Sequence, residues 1–216
     1  MKIISPEVEI LTPLEPAEVL ARLERAGRVC YRSEGRISRD SAGAFIRGLM
    51  KSGHLSVIEH EAISARLVCD RGVSHELVRH RLASFSQEST RYVNYGRGPE
   101  GRGLVLIKPV FFTEGSEKYE LWRRAMAAAE EAYLALTAAG ASAQEARTVL
   151  PNSLKTEIVM TANLREWRHI LTLRCAPASH PQMREIMKML LRVLAGLLPE
   201  IFGDLAEKYP PAENRD

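Results

Sequence analysis

Residues 79 to 91 read RHRLASFSQESTR, which sets three arginines, one histidine and four hydroxyl side chains beside a single acid, Glu88. Guanidinium forks, hydroxyls and backbone N–H groups are the donors that grip a phosphate group. A solvated face would intersperse lysine with glutamate, and this stretch contains no lysine. A phosphate-bearing small molecule, a structural basic face and a nucleic-acid contact each remain open, in that order. Phe85, Tyr92 and Tyr95 could stack on bases, but nothing resembles a recognition helix or an RNP motif.

Other segments carry related chemistry. GHLSVIEH, residues 53 to 60, gathers His54, Ser56, Glu59 and His60 after a helix stop, and its plainer reading is a polar turn. On a helix, Glu76 would lie one turn before Arg79 and His80 and could fix the arginine in one rotamer. Arg147 precedes Pro151 on a short helix. Arg165 and His169 share a face of another helix, bounded by Asn163 and Arg174.

Two motifs do not survive inspection. GRGPEG, residues 96 to 101, has the letters of a dinucleotide fingerprint, but Pro99 interrupts it and a strand, not a helix, follows. HELVRH separates His75 from His80 by five residues, about 140° around a helix, so the two cannot share a metal, and no metal site is expected.

The elements that must hold these residues follow from periodicity and caps. Residues 2–10 read as an edge strand interrupted at Pro6. A helix from Pro16 puts Val19, Leu20, Leu23, Ala26 and Cys30 on one face, and Ser38 caps a second helix through Met50 that stops at Gly53. Residues 61–69 alternate as a half-buried strand, and Ser74 caps a short helix that carries HELVRHR. Residues 84–95 look extended, 96–103 form a glycine-rich turn and 104–107 a strand. A long helix spans 116–139 and ends at Gly140. Ser142 with Glu145, and Asn163 with Glu166, are capping-box pairs on either side of a strand at 154–162. A last apolar helix covers 181–199.

The chain has 216 residues, 26% of them charged, and a net charge of +3, too small an excess to mark a general nucleic-acid binder. Cys30, Cys69 and Cys175 have neither disulfide nor zinc spacing, which fits a reducing cytoplasmic setting. The first residues contain neither a signal peptide nor a membrane span. One α+β domain over residues 1–216 is expected.

Arg79-His80-Arg81, followed after seven residues by Ser89, resembles the signature of the flavin-dependent thymidylate synthases. GHLSVIEH upstream, with ARTVLPNSLKT and NLREWRHILTLR downstream, extends the resemblance over residues 54–182. It implies a mostly antiparallel central sheet with flanking helices, and a homotetramer with active sites between subunits. The implied reaction methylates dUMP at C5 to dTMP, with 5,10-methylenetetrahydrofolate as carbon donor, FAD as hydride carrier and NADPH as reductant. Neither nucleic acid nor membrane is an implied partner. By the same resemblance FAD contacts Ser56, Arg79, His80, Arg81, Gln87, Asn163, Arg165 and His169. The nucleotide contacts Glu76, Arg79, Gln87, Glu88, Ser89, Thr90, Arg91, Arg147 and Arg174. Arg174 is the implied catalytic residue, favouring ionisation at N3 of the uracil ring, and His54 lies near flavin and folate. Ser89 reads as a nucleotide ligand, since no base is positioned to activate it.

Overall fold

The computed structural model describes residues 1–97 and 103–210. Most of the expected glycine-rich turn at 96–103 lies outside them. In chain order the elements are β1 (Lys2–Ile4), β2 (Glu7–Ile10), α1 (Pro16–Val29) and α2 (Ser41–Lys51), then a 3-10 turn over Leu55–His60. Next come β3 (Ala62–Asp70), α3 (Arg71–Leu77), β4 (Ser84–Gln87), β5 (Val105–Ile107) and α4 (Glu117–Ala138). The chain continues through α5 (Ala143–Ala146), a 3-10 turn over Arg147–Val149, β6 (Lys155–Asn163), α6 (Leu164–Arg174), α7 (Pro181–Leu197) and α8 (Pro199–Lys208).

Helix and sheet are mixed, with an antiparallel sheet in the order β2-β3-β6-β4. Pro6 divides the expected first strand, and β1 leaves for a separate parallel pairing with β5, Lys2 opposite Val105. The chain forms two compact units interleaved in sequence. The first is Met1–Glu7, Leu67–Arg79 and Phe85–Val159; the second is Val8–Arg66, His80–Ser84 and Met160–Asp216.

In the first unit Tyr95, Leu104, Leu106, Tyr133, Ala146 and Leu154 form a buried cluster, against which Trp122 and Met126 of α4 pack. Ser116 accepts the Tyr119 N–H to start α4, and Gly140, at φ 97°, ends it in a conformation that disfavours other residues. In the second unit α1 and α2 pack together, α2 also meets α8, and α6 contacts the 55–60 turn, α7 and α8. Glu24 is buried because Arg28 (2.7 Å) and the Ser41 hydroxyl (2.8 Å) satisfy its carboxylate. Among the described residues no helix is long and apolar enough to cross a membrane.

Several boundaries move, each for a local reason. α2 starts at Ser41, not just after Ser38, because the Ser41 hydroxyl accepts the Ser38 N–H at 2.9 Å and holds a turn ahead of the helix. α3 starts at Arg71 because Asp70, not Ser74, accepts an N–H, that of Val73, at 2.8 Å. The Ser74 hydroxyl instead donates to the Arg71 carbonyl. Because α3 ends at Leu77, Arg79-His80-Arg81 lies beyond the helix that was expected to carry it. Only Ser84–Gln87 of the extended 84–95 stretch is strand, and the Tyr92 and Val93 N–H groups turn back to the Ser89 carbonyl. α8 was not anticipated: the last apolar segment is interrupted at Leu198 and resumes from Pro199.

Trp167 is fully buried on α6 and its indole N–H donates to the Ile63 carbonyl at 2.9 Å. Trp167→Ala is expected to lose about 3–5 kcal/mol of stability. Trp167→Phe, which strands the carbonyl, should lose about 1–3 kcal/mol. Urea unfolding midpoints check both.

Candidate active site

In the first unit the side chains of Gln87 and Glu88 turn inward. The Gln87 amide donates to the hydroxyls of Ser74 (2.8 Å) and Thr156 (3.2 Å). Glu88 uses both carboxylate oxygens, one for the Tyr95 hydroxyl at 2.7 Å and one for the Lys155 ammonium at 3.1 Å. Lys155, 8% exposed, also meets Glu157 at 2.7 Å. Burial alone would lower the Lys155 pKa, but Glu157 and Glu88 outweigh it and raise it, so the group stays an ammonium. Burial, then the bond to Glu88, pushes the Tyr95 phenol pKa up, which keeps that hydroxyl a donor.

Beyond these anchors Ser89 is half-buried, Thr90 buried and Arg91 exposed. The Ser89 hydroxyl accepts the Arg91 N–H at 3.3 Å, and the exposed Arg91 guanidinium lies over the Tyr92 ring. Thr90 lines a cavity of about 230 Å³ with Arg71, His75, Arg147, Thr148 and Asn152. Two guanidiniums, an imidazole and two hydroxyls are groups chemically suited to an anion. Glu76 is half-buried and Arg79 exposed, and with α3 ending at Leu77 helical spacing no longer aligns them.

The second unit holds a buried imidazole. His80 is 7% exposed, and its Nε2 accepts the Arg174 Nε–H at 3.0 Å. That bond makes Nε2 the acceptor and puts the ring proton of the neutral form on Nδ1, 3.8 Å from a Glu166 carboxylate oxygen. Burial first, then the charges of Arg174 and His169, lower the His80 pKa to about 4. His169 is exposed, its ring edge-on to His80 at 6.3 Å. His80, Glu166 and His169 bring three ligand-type atoms within 4.8 Å of one another. The Arg174 guanidinium on the His80 acceptor makes this a poor cation site.

α6 starts where Asn163 accepts the Glu166 N–H at 2.8 Å. Arg165, in its first turn, pairs with Glu59 of the 55–60 turn at 2.5 Å. His54, just before that turn, Ser56 on it, and Arg81 are exposed. Exposed Ser56, Arg165 and His169 thus lie on two packed elements.

Within one unit, then, Thr90 meets Arg147 at one cavity; within the other, His80, His169 and Arg174 form one cluster and Arg165 lies beside the 55–60 turn. Sequence reading missed Arg71, His75, Lys155 and Glu166. Lys155 had a visible signal, a cation two residues before an acid at the start of the strand segment LKTEIVM. Tyr95, considered as a base-stacking ring, is buried and bonded to Glu88.

The His80 shift fixes a pH dependence. Between pH 6.5 and about 4 the unfolded chain binds a proton at this residue that the folded chain does not. Stability therefore falls as pH drops through that window, by up to about 1.4 kcal/mol per pH unit from this group. Urea unfolding from pH 7 to pH 4 should give a shallower profile for His80→Gln than for the unmodified protein.

Residues 16–200 match the family described as thymidylate synthase complementing protein. The flavin-dependent thymidylate synthase of Geobacter sulfurreducens is 36% identical over 191 residues, covering 85% of this chain and 81% of that protein. The protein of the same name from Mycobacterium sp. (strain JLS) is 33% identical, covering 99% and 89%. Among solved structures, the UMP/dUMP methylase PolB of Streptomyces cacaoi, bound with 5-Br dUMP, aligns with a TM-score of 0.76 at 26% identity over 97% of this chain and 98% of that one. Thymidylate Synthase X of Helicobacter pylori, solved with FAD and dUMP, shares the fold at a TM-score of 0.74 and 22% identity, covering 93% and 98%. With a match through most of its length and a relative more than a third identical, this chain belongs to the thymidylate synthase complementing protein family, that of the flavin-dependent thymidylate synthases.

Proposed function

We infer that the chain is a flavin-dependent thymidylate synthase that converts dUMP to dTMP, with 5,10-methylenetetrahydrofolate as carbon donor and NADPH as reductant. The carrying observation is the convergence of Thr90 and Arg147, from distant parts of the sequence, on one anion-receptive cavity with Arg71 and His75. The family relationship and this cavity support the same reading. Ser89, Arg91 and Arg147 bind the nucleotide phosphate, and Arg174 faces the uracil ring. A guanidinium beside N3 stabilises the ring anion and so activates C5. His80 fixes that guanidinium through Nε and, being neutral, adds no second positive charge.

The residues assigned to FAD fit an anionic, extended cofactor: exposed Ser56, Arg165 and His169 lie on packed elements, with Arg165 in the first turn of α6. Arg79, His80, Arg81, Gln87 and Asn163 complete the proposed set, Gln87 and Asn163 by holding backbone, since their side chains bond within the fold. FAD supplies the hydride carrier, so no cysteine nucleophile is required. The reading includes one catalytic domain over residues 1–216, working in the cytoplasm as a homotetramer whose subunits share sites. Leu82 and Tyr92 support the assembly: each is more than three-quarters exposed beside an arginine of the site, as apolar surface a second subunit would cover.

Tritium release from 5-tritiated dUMP with FAD, NADPH and methylenetetrahydrofolate tests the reaction; a folded, flavin-loaded protein that releases none above the no-enzyme control overturns it. Arg174→Ala is expected to lose at least about a hundredfold in turnover, about 2.7 kcal/mol of barrier, while keeping its flavin. Unchanged turnover would remove Arg174 from the mechanism.

A further inference from the structure

Glu88 is the one acid in the stretch that is to receive phosphate, and its carboxylate points the wrong way for a ligand. Both oxygens are engaged from within, by Tyr95 at 2.7 Å and Lys155 at 3.1 Å. Its backbone is held as well: the N–H donates to the Glu157 carbonyl at 2.9 Å, and Arg71, a cavity residue, reaches its carbonyl at 3.5 Å. Two residues further on, Thr90 forms the cavity wall.

Burying a lysine with carboxylates is a poor way to gain stability, because desolvation offsets most of the attraction and apolar side chains of like volume serve as well. The arrangement has a different consequence. An acid next to a phosphate site repels the ligand unless a cation neutralises it. Lys155, which also meets Glu157, offsets that charge and withdraws the carboxylate from the outward face of the stretch.

We propose that Lys155 and Tyr95, acting through Glu88, are positioning residues for the nucleotide: they neutralise the acid and hold residues 87–91 against the phosphate cavity. This rests on the reading of residues 87–91 as nucleotide-binding. Glu88 then serves the nucleotide by its backbone and its internal bonds, not as a side-chain ligand.

The test is calorimetric titration of dUMP into the FAD-loaded protein, with flavin content and melting temperature recorded for each variant. Lys155→Met should raise the dUMP Kd at least about tenfold, because it leaves the Glu88 charge uncompensated, with flavin content unchanged. The double variant Glu88→Gln with Lys155→Met removes that charge and still offers Tyr95 an acceptor, so it should regain most of the affinity. A merely structural role predicts no such rescue. Binding by folded Lys155→Met within twofold of the unmodified protein, or a double variant as weak as the single, overturns the proposal. If Lys155→Met does not fold, Tyr95→Phe decides: a rise in Kd of about threefold supports it and unchanged affinity overturns it. No dUMP binding by the unmodified protein overturns the reading of the site, and this proposal with it.

Discussion

A charged side chain does not stay in a protein interior without partners, and strand β6 is arranged around that constraint. Its buried positions alternate, Thr156, Ile158, Met160 and Ala162 facing inward as a pleated strand requires. Lys155, at its start, is buried too, and the carboxylates of Glu88 and Glu157 help make that tolerable. Glu88 is tied to both Tyr95 and Lys155, so the residues on either side of it are held in turn. At the other end of the strand Asn163 caps α6 and sets where Arg165, His169 and Arg174 fall along that helix.

The same economy governs His80. An imidazole beside an arginine would repel it if protonated, so burial and the guanidinium together keep the ring neutral and make its Nε2 an acceptor. The site therefore has fewer positive charges than its sequence suggests. Arg165 is balanced by Glu59, while Arg91 and Arg147 are exposed. A basic stretch in sequence becomes, in three dimensions, a few oriented cations among neutralised neighbours.

The fold was legible wherever a local rule dominated. Pro16 opening α1, Ser116 and Gly140 bounding α4, the Ser142–Glu145 box and the Asn163 cap all act within four residues of chain. It was least legible where two local options competed. Asp70 and Ser74 are both good caps, and Asp70 prevailed because the Ser74 hydroxyl bonds to a carbonyl within its own turn and receives the Gln87 amide. The helix also ends at Leu77, before Arg79, which undoes the helical spacing between Glu76 and the arginine. Leu198, where apolar character continues but the helix does not, hid α8 in the same way.

The residue types and their order by themselves favoured one chemistry: arginine forks with hydroxyls suit phosphate, and RHR with a serine after seven residues carries the family resemblance. Which of those side chains face a ligand was decided only by the tertiary structure. Glu88 and Gln87 sit inside a polar, nucleotide-like motif, yet turn inward because their partners, Tyr95, Lys155, Ser74 and Thr156, come from other segments. Arg71 and His75 join Arg147 at a cavity for the same reason. Periodicity and capping act over one turn of chain. Neutralising a buried charge depends on whatever the fold brings within about 3 Å, and no local pattern encodes that.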